Sequence, residues 1–482
     1  MFQKEVYALS ATTDLSLPSS TQESALCQKQ ARSSVCKPSC YNVLVDDGAQ
    51  LLLFNTRTVA LARIAADKKN RVRQWLANPN ENAEDTSAEA LRQALLQGQF
   101  LLDASFDEEV TLKMQHRLSR FGSNALELVI APTLRCNFHC SYCYVDLNAH
   151  SMSQNTIARV QKFFERKYTP GAPVSIVFTG GDPSLSMDAV EALSSHFARH
   201  CRQHNSTYGV VLITNGYLLD EAMLDALARA EIHEVQISLD GDREAHNRTR
   251  SLAGGRLTYE RILDHIEGAS TRIHCHLRIN VDRHNHDSIP RLLDDLAARQ
   301  LAGKVSVYFA QLDDVNENSA AHAPFVLSPR DYAALEPALV QHSTMCGFEL
   351  SNEPLRRAVA QFCGANARNA FVIDPDGNLL KCYQDLGAAQ SKAIGKIGAG
   401  GEEEIDAPQR LMQWLNWDPF EVEACRDCRV LPLCMGGCVH KIVNGGMDVD
   451  KGCQKLRWNL EESLRLFAQT RGARNHAERG RA

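Results

Sequence analysis

Several things are scarce in this chain, and each scarcity narrows its class. Its 482 residues contain no uninterrupted apolar run approaching the ~18 residues of a membrane-spanning helix. The opening residues Met1-Phe-Gln-Lys-Glu-Val6 lack a basic segment followed by an apolar stretch, so no export signal is read there. No membrane partner and a cytoplasmic location are the expectation. Charge of one sign is also in short supply. With 52 Lys and Arg against 58 Asp and Glu, the formal net charge is -6, which offers no general footprint for nucleic acid, and no nucleic-acid partner is expected.

Cysteine, in contrast, is plentiful at 16 residues. In a reducing compartment such thiols serve metals or catalysis rather than a disulfide framework. Most of them fall into two groups with metal-ligand spacing. The first is Arg135-Cys136-Asn-Phe-His-Cys140-Ser-Tyr-Cys143-Tyr144. Zinc and electron-transfer sites normally close their coordination with a fourth local ligand. Three close thiolates instead suit an iron–sulfur cluster whose remaining iron is open to a second cofactor. The triad follows Leu126-Glu-Leu-Val-Ile-Ala-Pro132, an apolar run that reads as a strand. The cysteines then lie beyond its carboxyl end, the face on which parallel barrels build active sites.

A chain of this length predicts two or three domains. The first forty residues are polar and are expected to be loose, with Cys27, Cys36 and Cys40 as free thiols. Tyr41 to Thr56 is two apolar runs joined at Asp47-Gly48, a hairpin signal. Helices are predicted over Val59–Leu76 and Ala88–Leu96, and a short strand at Phe100–Asp103. Apolar runs at Leu126–Ala131, Val174–Thr179, Tyr208–Thr214, Glu234–Leu239, Ile273–Val281 and Val305–Gln311 alternate with helical segments. That pattern is α/β, with a parallel sheet that right-handed crossovers wrap into a barrel or part of one. Leu312 to Arg330 reads as a connector, followed by helices to about Phe362, and Arg471 to Ala482 as a frayed tail.

The second cysteine group comprises Cys363, Cys382, Cys425-x2-Cys428-x5-Cys434-x3-Cys438 and Cys453, with Cys346 upstream. Pairs separated by two or three residues can ligate one centre while distant members close it. Taken alone, the Cys425–Cys438 run also reads as a zinc site. Ile373-Asp-Pro-Asp-Gly377-Asn-Leu-Leu-Lys381 reads as a hairpin that presents Cys382. Two strand ends add polar groups: Thr179-Gly180-Gly181-Asp182-Pro183, whose glycines permit close backbone approach, and Val235-Gln-Ile-Ser238-Leu-Asp240-Gly241, followed by Arg250.

Together these motifs resemble the radical S-adenosylmethionine (SAM) enzymes that carry a C-terminal SPASM domain. The resemblance implies a partial (β/α)6 TIM-like barrel with a small N-terminal α+β unit and a C-terminal cysteine-rich iron–sulfur domain. The expected divisions are 1–40 (arm), 41–120 (small unit), 121–312 (barrel), 313–345 (connector and helix), 346–458 (SPASM) and 459–482 (helix and tail). It implies a 4Fe–4S cluster on Cys136, Cys140 and Cys143 that binds SAM and cleaves it to a 5′-deoxyadenosyl radical. Gly180-Gly181-Asp182-Pro183 resembles the family's Gly-Gly-Glu-Pro, with Asp182 in place of Glu. By the same resemblance Ser238 and Arg250 contact the ribose and carboxylate and Tyr142 packs near the adenine, while Thr214, Asn215 and Asn280 end other strands on the same face and are expected to line the pocket.

Two auxiliary 4Fe–4S clusters are also implied, bringing the expected total to three. Cys363, Cys382 and Cys438 would hold the first, and Cys425, Cys428, Cys434 and Cys453 the second. Cys346 would complete the first, or one iron would be open to substrate. The implied partners are a precursor peptide with a leader, captured by Tyr41–Asp103, and an electron donor such as flavodoxin or ferredoxin. The implied function is a peptide maturase that installs an oxidative crosslink: carbon–carbon, thioether or ether. Anaerobic sulfatase maturases share both cysteine arrays but place an Asp directly after the equivalent of Cys382, where this chain has Tyr383, then Gln384 and Asp385. A noncatalytic metal-cluster adaptor that binds a peptide is the third reading.

Overall fold

The computed structural model describes residues 35–48, 50–81, 86–314, 316–351, 355, 357–386, 388–445 and 449–479, and Cys27 lies outside them. The N-terminal unit comprises β1 (Cys36–Pro38), β2 (Asn42–Asp47), β3 (Gln50–Asn55), β4 (Leu61–Ala65), α1 (Lys69–Ala77), α2 (Thr86–Gln97), β5 (Leu101–Asp103) and α3 (Glu108–Arg117). β2 and β3 form the hairpin expected around Gly48, and β4 extends it to three antiparallel strands. β4 occupies the first part of the stretch predicted as helix from Val59. Val59 adopts φ 54 and turns the chain back on β3, while Asn55 Oδ1 accepts from the backbone N–H of Arg57 and Thr58. Strand pairing here overrides the helical preference of Leu, Ala and Arg. Residues 36–38 are likewise part of the fold: β1 pairs with β5, and Cys36 is buried.

The barrel follows as β6 (Leu126–Thr133), α4 (Gln154–Lys167), β7 (Val174–Gly180), α5 (Met187–Gln203), β8 (Tyr208–Thr214), α6 (Glu221–Arg229), β9 (Glu234–Leu239), α7 (Arg243–Thr249), α8 (Tyr259–Ala269), β10 (His274–Val281), α9 (Ile289–Ala298) and β11 (Val305–Gln311). β6 to β11 are parallel neighbours in chain order. This is the partial (β/α)6 barrel expected from the alternating runs. Its outward residues, such as Leu128, Ile176, Leu212, Ile237, Leu277 and Val307, pack under the helices in one apolar cluster. The inward face is divided. Val129, Val177 and Val211 make it apolar on β6–β8, whereas Gln236, Ser238, Arg278, Asn280 and Tyr308 make it polar on β9–β11 while remaining buried.

Beyond the barrel come α10 (Pro329–Met345), β12 (Glu349–Leu350), β13 (Ala370–Ile373), β14 (Asn378–Leu380), α11 (Ala389–Lys392), β15 (Gly395–Ile397), β16 (Glu403–Ile405) and α12 (Pro408–Leu415). Short helices α13 (Glu423–Arg426), α14 (Leu431–Cys434), α15 (Val439–Asn444) and α16 (Val449–Gly452) precede α17 (Leu456–Arg479). The helices expected up to Phe362 thus give way to β12 at the edge of the sheet beside β11. The frayed tail is instead helical as far as Arg479. β13 pairs in parallel with β6, and β14–β16 continue antiparallel, so the C-terminal unit extends the barrel sheet directly.

The N-terminal unit is docked on the C-terminal one. Val43, Leu52 and Phe54 share an apolar cluster with Leu433, Leu464 and Phe467, and Thr56 Oγ1 donates to the Arg429 carbonyl at 2.5 Å. A second seam runs from α3. His116 Nδ1 donates to the Ala360 carbonyl at 2.7 Å, and Arg120 Nε donates to the Asn366 carbonyl at 3.0 Å. Arg120 lies in a π turn over Leu118–Gly122, and its guanidinium also donates to His116 Nε2. That geometry keeps the imidazole neutral.

Burial pushes the His116 pKa from 6.5 down to about 4, the Ala360 hydrogen bond opposing and the Arg120 cation assisting. The unfolded chain therefore takes up this proton first. The stability from neutral His116 is intact above its unfolded pKa of 6.5 and declines as pH falls toward about 4. The complete effect is on the order of 3 kcal/mol. The thermal midpoint of the intact protein is expected to fall on lowering pH from about 6.5 to about 5, and less steeply in His116→Gln.

Candidate active site

The site is built where β6 ends. Its pairing with β7 is irregular between Ile130 and Thr133, and the chain leaves the sheet into the loop that carries Cys136, Cys140 and Cys143. That loop is fixed on two sides. On one, His139 N–H donates to the Ser251 carbonyl at 3.0 Å, Ser141 N–H to the Thr249 carbonyl at 3.2 Å, and Ala253 N–H to the Asn137 carbonyl at 3.0 Å. On the other, Gly181 N–H donates to the Thr133 carbonyl at 3.0 Å and Asp182 N–H to the Arg135 carbonyl at 2.7 Å.

The two glycines are required by this contact. A Cβ on Gly180, whose φ is +122, would lie 2.5 Å from the Thr133 carbonyl oxygen, and one on Gly181 would lie 2.1 Å from that of Arg135. The close approach that the Gly-Gly pair permits is thus first to the cysteine loop itself. Asp182 is also committed within the protein. Its carboxylate accepts from Ser184 N–H at 3.0 Å, Asn215 N–H at 2.8 Å and Thr214 Oγ1 at 2.9 and 3.0 Å. It ties the ends of β7 and β8 together.

Cys136, Cys140, Cys143, Tyr142, Gly180, Gly181, Asp182, Ser238 and Arg250 all line one cavity, with Thr214, Asn215 and Asn280. Tyr142 is the centre of its polar wall. Its hydroxyl donates to Asp240 Oδ2 at 2.5 Å and accepts from Arg250 Nη1 at 2.6 Å and Asn280 Nδ2 at 3.2 Å. Asp240 also accepts from Thr249 Oγ1 at 3.0 Å and Asn280 Nδ2 at 2.9 Å. Sequence reasoning left Asp240 out of the site, although it ends the same strand as Ser238. It also left out Arg278, whose Nε donates to Asn280 Oδ1 at 2.8 Å, and Gln311, which ends β11, and Asp313 just beyond it. The inward alternation of polar residues along β9–β11 was the available signal.

The C-terminal unit completes the cavity with Tyr383 and Gln384. Tyr383 lies against Tyr144, with ring centroids 6.1 Å apart. Asp385 turns away to a buried contact with His440 Nε2 at 3.2 Å. Lys441, next in sequence, pairs with Asp313 on the rim.

Burial pushes the Cys136 and Cys140 thiols up to about 12 and raises that of Cys143. Three protonated thiols facing one cavity are poor hydrogen-bonding groups but suitable metal ligands once their protons are displaced. Arg250 Nε, also buried, has no partner among the described residues, which leaves a donor for an anionic group. The residues present therefore fit a thiolate-ligated cluster with a carboxylate-bearing cofactor.

The second cysteine group separates into two sets. Cys363, Cys382 and Cys438 are electrostatic neighbours, and Cys363 and Cys382 lie in an apolar cluster with Trp414 and Trp417. Cys425, Cys428, Cys434 and Cys453 line one small cavity. Met435, Gly436 and Gly437 all have positive φ and reverse the chain between Cys434 and Cys438. A Cβ on Gly437 would lie 2.0 Å from the Gly452 carbonyl. The placement of Cys346 departs from the expectation. It caps α10 and lies with Asp294 and His342, on helices that cover the outside of the barrel. β12, just after it, and β13 flank β11 and β6 respectively, the two ends of the parallel barrel sheet. The chain-level proximity of Cys346 to Cys363 is undone by the course of the chain around the barrel. Cys201 and Cys275 are fully buried core thiols.

Residues 130–296 match the family model of the Radical SAM superfamily. The cysteine-type anaerobic sulfatase-maturating enzyme of Clostridium perfringens is 23% identical over 353 residues, covering 65% of this chain and 88% of that protein. The PqqA peptide cyclase of Granulibacter bethesdensis is 24% identical over 342 residues, covering 67% and 85%. Among solved structures, native anSMEcpe with bound AdoMet and Cp18Cys peptide superposes with a TM-score of 0.56 at 18% identity, over 73% of this chain and 99% of that one. This last likeness shows a shared fold. No helix among the described residues is long and apolar enough to cross a membrane.

Two outcomes follow from the geometry. If this loop holds a SAM-cleaving cluster, replacing Cys136, Cys140 and Cys143 together by Ala is expected to abolish anaerobic cleavage of SAM, read as 5′-deoxyadenosine, while any iron bound by the C-terminal cysteines remains. Tyr142→Phe removes the hydroxyl between Asp240 and Arg250 and leaves buried polar groups unmatched, at a cost of ~1–3 kcal/mol. SAM affinity, measured by equilibrium dialysis, is expected to weaken about tenfold.

Proposed function

We propose that this chain, whose residues 130–296 form a radical SAM domain, is an oxidoreductase that modifies a peptide or protein, and specifically a maturase that installs a crosslink in a ribosomally made precursor. Cys136, Cys140 and Cys143 would hold the catalytic 4Fe–4S cluster, with Ser238, Arg250 and the Gly180–Gly181 turn placing SAM beside it. When bound, this pair supplies a 5′-deoxyadenosyl radical able to abstract an unactivated C–H hydrogen. Cys363, Cys382 and Cys438, and separately Cys425, Cys428, Cys434 and Cys453, would hold two auxiliary clusters that accept the substrate electron. Tyr142, Asp240 and Asn280 hold the Arg250 guanidinium in position. Tyr144 and Tyr383 line the cavity between barrel and C-terminal unit, where their rings would limit the access of water.

The observation that carries the crosslinking reading is the cavity wall after Cys382. Tyr383 and Gln384 line it, whereas the acid next in sequence, Asp385, faces His440, and Asp313 on the rim is paired with Lys441. Oxidation to formylglycine calls for a base at the substrate carbon, and this wall offers a phenol and an amide there. The N-terminal hairpin unit, braced on α17, supports capture of a leader segment, and a flavodoxin or ferredoxin would supply electrons. Sulfatase maturation is the second reading. It is favoured by the extent of the likeness to the Clostridium perfringens enzyme, which spans 88% of that protein.

Mass spectrometry separates the two. The reconstituted enzyme is supplied with SAM, dithionite and either a sulfatase-derived cysteine peptide or a candidate precursor peptide. The crosslinking reading expects a product lighter by two hydrogen atoms with all sulfur retained. Replacement of the cysteine sulfur by a carbonyl oxygen would establish the second reading and overturn the first.

A further inference from the structure

We propose that Asp294, His342 and Cys346 form a zinc site on the outer surface of the barrel, separate from every iron–sulfur position. The side-chain donors of these three residues lie within 4.8 Å of one another. His342 Nε2 is 2.8 Å from Asp294 Oδ1, and Cys346 Sγ is 3.6 Å from the same oxygen. Zinc bonds of ~2.0–2.3 Å at tetrahedral angles separate neighbouring donors by ~3.3–3.6 Å. The sulfur–oxygen pair already meets that spacing, and the nitrogen–oxygen pair needs only a small opening of two side chains.

The residues sit on rigid supports. His342 and Cys346 are four apart at the end of α10 and so project from one face. Cys346 N–H donates to the His342 carbonyl at 3.0 Å, and Phe348 N–H to that of Ser343 at 3.0 Å. Gly347, at φ +83, ends the helix immediately beyond. Asp294 projects from α9, whose Leu292, Leu293 and Leu296 are fully buried. One thiolate, one imidazole and one carboxylate form a mixed donor set that suits a borderline divalent ion such as zinc. A single thiolate does not suit an iron–sulfur cluster, which is held chiefly by thiolates. A fourth position would be left to water, since the site is open to solvent.

The ion would tie α9 to α10. α10 in turn holds α17: Asn459 Nδ2 donates to the Ala333 carbonyl at 3.0 Å, and Lys455 pairs with Glu336. Zinc would therefore brace the connection between the barrel and the C-terminal unit.

The test uses the full chain, anaerobically loaded to constant iron, incubated with zinc sulfate and desalted, with zinc, iron and sulfide measured per chain. One zinc is expected, lost in both His342→Ala and Cys346→Ser, with iron and sulfide unchanged in each. Asp294→Asn, which keeps the shape of that side chain, is expected to weaken zinc retention at least tenfold. Loss of iron in Cys346→Ser but not in His342→Ala would make Cys346 a cluster ligand and overturn the proposal. Zinc retained in both variants, or no zinc in the unaltered protein, would also overturn it. Because His342→Ala touches no cysteine, its result cannot arise from disturbance of a cluster.

Discussion

The contact on which the site depends is the packing of the Gly180–Gly181 backbone against residues 133–135. Two side chains are missing at the end of β7 so that its backbone can donate to carbonyls of the cysteine loop. An alanine at Gly181 would drive a methyl group into the Arg135 peptide, and the loop would have to leave its place. The three thiols face a single cavity because this contact, together with the hydrogen bonds from Thr249 to Ala253, holds a loop with little regular structure on both sides. Asp182 extends the same arrangement to β8, so the ends of three strands are registered around the thiols.

From that anchor the barrel divides its labour by face. Outward residues on all six strands pack beneath helices. The inward face changes from valines on β6–β8 to amides, a guanidinium and hydroxyls on β9–β11. Buried polar groups of this kind are tolerated where they satisfy one another or await a ligand. The Tyr142–Asp240–Arg250–Asn280 network does both, since it is internally matched yet leaves Arg250 Nε without a partner among the described residues. The C-terminal unit supplies the rest of the cavity wall. Through β13 it continues the barrel sheet and brings Tyr383 and Gln384 over the thiols.

The helical and extended runs of the barrel were legible because period and punctuation agreed. β8, β9 and β11 begin and end where the expected runs do, with Thr207, Asn215, His233, Asp240 and Lys304 as polar punctuation. The cysteine triad was legible through spacing, since its members are sequence neighbours and need no long-range fold to meet. β4 was misread because Leu61–Ala65 has helical composition, and only the turn at Val59 and the open edge of β3 make it a strand. Cys346 was grouped with the auxiliary cysteines by closeness in the chain, whereas its donor neighbours in space are Asp294 and His342.

The two sets of C-terminal cysteines were implied by family resemblance, whereas the sequence by itself determined the parallel α/β core and the open three-thiolate motif. These rest on local periodicity and on ligands close together along the chain. Tertiary structure alone decided that Arg278 lines the cavity with Asp240 behind Tyr142, that Tyr383 and not Asp385 faces it, and that Cys346 lies with Asp294 and His342. Each of these depends on how strands distant in sequence are registered around the barrel. Hydrophobic burial and hydrogen bonding set that register collectively, and no short run of residues encodes it.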